Sequence, residues 1–286
     1  MKPFVNKSLF VVSLLMFVTL IFSSCHKDNN DPQTAPVALL ASNTRFDNKG
    51  VIYYSEAYQY DKQNRLIKVT YHDSYVMTFE YSGSTIIQKG YDGVSLDGTA
   101  VLQLNNQGLC ISLPAGAANT AKFEYYIDGF QKSTVYESPT NIKTYTYTVS
   151  EGNYVTSTYE EKSKTTNSAI TKENTHFKSA FFSSDLEKRF ALQPRLKSAA
   201  ADYSSKTEYQ FYTDKLSTSG NANRGISFYG KQNKNPIKRE IINYTDGVTG
   251  AKSYDIFNST YEYDAKNRIT KGLFDNGYYD VYTYLN

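Results

Sequence analysis

The chain has 286 residues, 27 of them Tyr and 16 Phe, with no Trp and only two Cys; 31 Lys and Arg stand against 28 Asp and Glu. So even a charge balance gives no electrostatic footprint for nucleic acid, and two cysteines cannot build a disulfide scaffold. Aromatic residues make up 15% of the chain, and Thr and Ser crowd around the tyrosines, a composition that favours pleated, half-buried surfaces.

In chain order, the first element is an export signal. Lys2 and Lys7 form a basic start, and Leu9 to Phe22 reads LFVVSLLMFVTLIF. That run is shorter than the ~20 apolar residues of a spanning helix, and its layout is that of a cleaved signal over 1–24. Phe22-Ser23-Ser24-Cys25 resembles the lipobox of bacterial lipoproteins, whose cysteine takes fatty-acyl (palmitate-type) chains and becomes the mature N-terminus. Cys25 is therefore the expected lipidation site and the link to a membrane, two or more chains being what makes anchoring stable. Loss of Lys2 and Lys7 leaves 29 basic against 28 acidic side chains. With Cys25 acylated, Cys110 has no disulfide partner, and its apolar setting, Gly108-Leu109-Cys110-Ile111, predicts a buried, inert thiol.

Residues 25–45 read as a flexible, lipid-anchored linker with a brief apolar patch at Val37-Ala38-Leu39-Leu40. Twenty such residues span about 25 Å as a random coil, enough to lift a domain off the headgroups. His26-Lys27-Asp28 resembles the short charged signals that send Bacteroidetes-type lipoproteins to the cell surface.

The body, 46–286, reads as all-β. In Ile142 to Val149, Lys143, Tyr145, Tyr147 and Val149 share one face and Ile142, Thr144, Thr146 and Thr148 the other, a strand with one packed and one wetter side. Similar runs recur near 51–60, 65–72, 75–81, 84–91, 99–104, 121–127, 130–136, 153–160, 206–212, 237–244, 252–263, 268–274 and 278–285. Between them stand Asp92-Gly93, Asp97-Gly98, Asp128-Gly129, Asp246-Gly247 and Asn276-Gly277, pairs that supply the positive φ of tight turns. The pattern predicts an antiparallel meander forming a large curled or barrel-like sheet. Residues 163–205 break it: they are polar, and Ser184 and Pro194 could bracket a short helix around Asp185 to Leu192. This stretch is expected to be an insertion.

One motif repeats. Tyr58-x-Tyr60-Asp61-x-x-Asn64-Arg65-Leu66-x-Lys68 matches Tyr261-x-Tyr263-Asp264-x-x-Asn267-Arg268-Ile269-x-Lys271, and Leu102-x-Leu104-Asn105-x-x-Gly108-Leu109 keeps the spacing. Asn and Gly alternate at the position that tolerates left-handed backbone, so the motif is expected to be a hairpin whose Asp caps the turn. It resembles the tyrosine–aspartate (YD, RHS-type) repeats, which build curled β-sheets. The stretch Tyr212-Thr213-Asp214-Lys215, Gly220-Asn221, Asn223-Arg224-Gly225-Ile226-Ser227-Phe228, Gly230-Lys231 and Lys234-Asn235 resembles a Bacteroidetes lipoprotein family of unknown function described as porin-like in fold. The likeness covers roughly 46–286. It implies a large barrel-like sheet and transfers no catalytic or binding residue.

A membrane-spanning barrel needs strands of ~9–11 residues with a continuous apolar outer band. The runs here are short and mix Lys, Glu, Gln and Thr into both faces, so a water-borne domain is expected. Among His26, His72 and His176, none has a second ligand at metal-binding spacing. Asp92 to Asp97 lacks the oxygen spacing of a calcium loop, and no phosphate loop, nucleophile elbow or zincin motif occurs. No catalytic residue, metal or cofactor is therefore expected. The leading expectation is a non-catalytic cell-envelope lipoprotein that binds an extracellular glycan, peptide or apolar ligand, the tyrosines offering rigid contact area with a polar tip. The alternative is an accessory subunit docked on an outer-membrane protein complex.

Overall fold

The computed structural model describes residues 37–114, 120–164, 203–247 and 249–285. Cys25, the linker to residue 36 and 165–202, with the expected helix, lie outside the described residues.

Sixteen strands run in chain order: Leu40–Phe46 (β1), Ile52–Tyr60 (β2), Leu66–Tyr71 (β3), Tyr75–Ser82 (β4), Thr85–Asp92 (β5), Ser95–Leu104 (β6), Cys110–Pro114 (β7) and Thr120–Tyr125 (β8). Then follow Gln131–Glu137 (β9), Asn141–Ser150 (β10), Asn153–Ser163 (β11), Tyr203–Phe211 (β12), Ile237–Asp246 (β13), Lys252–Tyr263 (β14), Ile269–Phe274 (β15) and Tyr279–Tyr284 (β16). Each pairs antiparallel with its chain neighbours, and β1 pairs with β16, so the meander closes into a barrel. Closure removes the unpaired edges that an open sheet of this size would expose.

Several elements differ from the sequence reading: β7 falls where no strand run was expected, and β12 begins at Tyr203, within the stretch expected as an insertion. The stretch 40–45, assigned to the linker, is strand β1. Its buried positions include Asn43 and Arg45, and polar side chains on the inner face hide the alternation that marks a strand. Asp97-Gly98, expected as a turn, lies within β6, with Gly98 paired to Gly90 of β5.

The alternation in β10 has the expected sense. A row of paired residues crosses six strands, Phe123–Thr134–Tyr145–Tyr159–Ser205–Tyr244, and four of its members are buried, so this row faces the lumen. Thr144, Thr146 and Thr148 face out, where the Thr148 and Thr156 hydroxyls lie 2.6 Å apart across the pair. Other outward positions carry the ion pairs Lys89–Glu80 at 2.6 Å and Lys206–Glu208 at 2.8 Å.

The repeated motif is a turn of one geometry. In Asp61–Arg65 the first amide donates to the fifth carbonyl (2.9 Å) and the fourth amide to the first carbonyl (3.0 Å). The Asp61 Oδ1 accepts the amides of Gln63 and Arg65. Asn105 and Asp264 repeat these bonds, and so does Asp47 in the β1–β2 hairpin. The fourth residue is left-handed in every copy: Asn64 at φ 61°, Gly108 at 76°, Asn267 at 57° and Gly50 at 78°. Arg65 and Arg268 complete the motif. Each donates Nε to the second oxygen of its own aspartate at 2.7 Å and lies over a neighbouring ring, Tyr81 at 4.4 Å and Tyr284 at 4.6 Å. Those tyrosines donate to the carbonyls just past the turns, Tyr81 to Leu66 (2.9 Å) and Tyr284 to Ile269 (2.7 Å), as Tyr125 does to Cys110 (2.8 Å).

Residues 212–236, between β12 and β13, cross one end of the barrel and include a short 3-10 turn, Ser227–Tyr229. Thr218 meets the Tyr284 hydroxyl (2.8 Å) and takes the Ile269 amide (2.8 Å). The Leu40 and Leu66 amides donate to the carbonyls of Asn223 and Gly225. Phe228 packs on Phe79 and Tyr81, and Tyr229 on Phe123. Lys231 and Lys234 bond Gly129 and Gly152 through their amides, and Asn235 pairs with Asn153. The contacts thus run from β15 through β1 to the β10–β11 turn, and the segment plugs this end. Two glycines make it fit. A Cβ at Gly225 (φ 67°) would lie 2.9 Å from the Leu66 nitrogen, and one at Gly230 (φ 85°) 2.8 Å from the Gly129 carbonyl.

Left-handed backbone costs a β-branched residue about 1–2 kcal/mol and Gly nothing. Asn267→Gly is expected to leave the urea midpoint near that of the parent, while Asn267→Val lowers stability by about 1–2 kcal/mol. Equal effects of the two would remove the left-handed turn from the account.

Candidate ligand-binding lumen

The lumen has two unlike halves. Toward β2–β8 it is filled: Leu66, Val69, Met77, Phe79, Ile86 and Leu102 pack with Ile226, Phe228 and Tyr229 of the plug in one core. Cys110 belongs to it at 0% exposure, and burial pushes its thiol up to about 12, which suits a packing role.

Where β16 meets β1 the inner face turns charged. Arg45 grips Asp280 with Nε and Nη2, both at 2.6 Å, the side chains 3% and 0% exposed. Tyr282 donates to the same carboxylate at 3.2 Å. One register step toward the plug lies the row Tyr282–Asn43–Glu56–Tyr71. The two oxygens of the buried Glu56 accept the hydroxyls of Tyr54 and Tyr58. Burial, and then the Glu56 charge, hold the Tyr54, Tyr58 and Tyr71 hydroxyls well above their ordinary 10.0, while Arg224 of the plug opposes the shift in Tyr58 and Tyr71. With these bonds each carboxylate braces the wall around it.

Toward β9–β12 the lumen is lined by tyrosine and hydroxyl. Tyr136 and Tyr145 meet edge to face at 5.8 Å, and Tyr145 and Tyr159 lie 4.8 Å apart; all three are only partly buried. Beside them, away from the plug, Glu161 accepts Asn141 Nδ2 and the Tyr159 hydroxyl, both at 2.6 Å, with Lys143 at 3.9 Å. Deeper, Tyr147 pairs across to Ser157, and Ser157 to Thr207. A flat ligand on Tyr136, Tyr145 and Tyr159 would find apolar ring faces, phenolic hydroxyls and a Lys/Glu pair within reach, the mixture of apolar wall and few polar groups typical of ligand sites.

The residues singled out in the sequence fall as follows. His72 lies in the β3–β4 turn, its ring 6.2 Å from Tyr54. Asp92 ends β5, and Asp97 accepts the Tyr75 hydroxyl at 3.1 Å. The Asp/Arg pairs of the repeat brace turns. Cys25, His26 and His176 lie outside the described residues. Sequence reasoning missed Arg45, Glu56 and Asp280: they are isolated charges in unrelated segments, joined only when the last strand meets the first.

No protein-family model matches the chain, and no curated protein does. Among solved structures, the chain is similar to a porin-like protein from Bacteroides uniformis ATCC 8492, with 13% identity and a TM-score of 0.50 over 87% of this chain and 99% of that one. At that identity the likeness is one of fold, and it agrees with the porin-like barrel expected from the sequence.

Tyrosines held neutral in the folded state favour folding only while unfolded tyrosines are neutral too. Stability is therefore complete below about pH 10 and falls above it, by roughly 1.4 kcal/mol per pH unit for each such residue. Tyr58 and Tyr71 are the most buried of the Glu56 group, and Tyr58→Phe with Tyr71→Phe is expected to flatten the decline of urea midpoint between pH 10 and 12. An unchanged slope would contradict the shifts.

Proposed function

We propose that the chain is a lipid-anchored cell-envelope protein whose plugged barrel is a non-catalytic binding module, with the tyrosine wall of β9–β11 as its ligand surface. The observation that carries this reading is the contrast within one lumen. The β2–β8 half is sealed by apolar packing, with Tyr136 at its border, whereas Tyr145 and Tyr159 stand on the inner face outside that core and are only partly buried. Stacking surfaces of this kind suit an extracellular glycan or peptide. The plug argues for a cup closed at one end rather than a through-pore. The outer face, with its Thr ladder and Lys/Glu pairs, is unlike the apolar band of a lipid-facing barrel and suits a domain standing in water. Anchoring then falls to Cys25, whose acylation a Cys25→Ala variant would abolish.

One observation favours the accessory-subunit reading. Turns and strand ends away from the plug expose Ile52 (51%), Val94 (100%), Leu96 (58%) and Tyr254 (68%), and exposed apolar tips suit a protein partner.

Isothermal titration against extracellular glycans and peptides separates the two. The binding reading expects heat with at least one ligand and a loss of about tenfold or more in Tyr145→Ala/Tyr159→Ala, with Thr146→Ala on the outer face unchanged. Heat from no ligand, or an affinity indifferent to the tyrosines, overturns it and moves the accessory reading ahead.

A further inference from the structure

Among the described residues, the loops at the two ends of the barrel differ in charge. At the plug end Lys62, Lys215, Lys231, Lys234 and Lys266 stand in turns or in the plug, and none is ion-paired to a described residue. Asp61 and Asp264 are taken by their own arginines, which leaves Asp128, Glu151 and Asp214 as the other carboxylates of these loops. The loops and strand ends of the opposite end carry Asp47, Asp73, Asp92, Glu137, Asp246 and Asp275 against Lys49, Lys164 and Lys252 among the described residues. Two apolar side chains project from the basic end: Ile127, 95% exposed at the tip of the β8–β9 turn, and Leu216, 52% exposed in the plug. Ala38 and Leu40, around the start of β1, also meet this end: the Ala38 carbonyl accepts Asn223 Nδ2 and the Leu40 amide bonds the Asn223 carbonyl.

We infer that the plug end is a docking face for an anionic lipid surface. Lysines with no carboxylate partner complement anionic headgroups, and apolar tips among them can enter the interfacial layer. A polyanion such as nucleic acid would use the lysines and leave Ile127 and Leu216 idle. β1 begins at this face, so a tether leading into it would bring this face toward the membrane. This extends the envelope reading without requiring the lipid on Cys25 or a ligand in the lumen.

The test uses the chain from residue 25 with Cys25→Ser. It keeps every described contact, because β1 to β16 close on each other, and carries no acyl group. Flotation is measured with vesicles of phosphatidylcholine alone and with 30% phosphatidylglycerol, at low and high salt, without ligand. Flotation with the anionic vesicles only, lost at high salt, is expected. Lys231→Gln/Lys234→Gln should weaken it about tenfold or more, Ile127→Asp should weaken it further, and Val94→Asp/Leu96→Asp at the other end should leave it intact. Failure to float with anionic vesicles, equal flotation with both, capture by soluble polyphosphate in place of vesicles, or loss through the Val94/Leu96 variant would each overturn the proposal. Ligand titration is unaffected by any of these outcomes, so the lumen reading stands or falls separately.

Discussion

The barrel exists because its last strand finds its first, and the buried pair Arg45–Asp280 sits across that seam. Its two bonds of 2.6 Å join residues 235 positions apart. Both charges are out of water, so removing either partner costs about 3–5 kcal/mol through the charge left behind. The pair also fixes register. A slip of one residue would turn Asp280 to the outer face, away from Arg45. This charged pair therefore helps set the register in which the sixteen-stranded meander closes, alongside the paired positions around it.

A closed barrel of this size has two mouths, and among the described residues the plug crosses one of them. The plug ties itself to β15, β16, β1, β3, β4, β8 and the β10–β11 turn with backbone bonds, asparagines and three aromatic or aliphatic side chains. The repeated turn serves the same end: its arginine braces the aspartate that caps it and covers a tyrosine two strands further on. The tyrosine abundance that first suggested a ligand platform is thus partly structural, since Tyr81, Tyr125 and Tyr284 donate to backbone carbonyls at strand starts. Among the described residues, Tyr145 and Tyr159 combine lumenal facing with partial exposure outside the apolar core. The proposed ligand surface lies there for that reason.

Much of the fold was legible because most strands alternate. Ile142 to Val149 shows Tyr on one face and Thr on the other, and the barrel turns that same Tyr face inward. The repeat was legible as a hairpin because Asn and Gly interchange at its left-handed position, and the structure adds the Arg and the Tyr that complete it. β1 was not legible, because Asn43 and Arg45 occupy inward positions where apolar residues mark a strand. The charged row at the seam left no local trace: Arg45, Glu56 and Asp280 acquire meaning only through pairing between the chain's ends. The stretch from Tyr212 to Asn235 was recognisable by resemblance alone, and its glycines and asparagines turn out to fit a segment threaded across the end of a barrel.

The central claim is a single closed barrel whose seam and plug belong to one cooperative unit. Hydrogen exchange read by mass spectrometry over the intact chain tests it directly. The account predicts that amides of Leu40–Phe46, Tyr279–Tyr284 and the plug around Gly225–Gly230 are protected together with those of β2–β4. Exchange of β1 or the plug within seconds, while the neighbouring strands stay protected, would contradict it: the sheet would then be open, and one mouth unsealed.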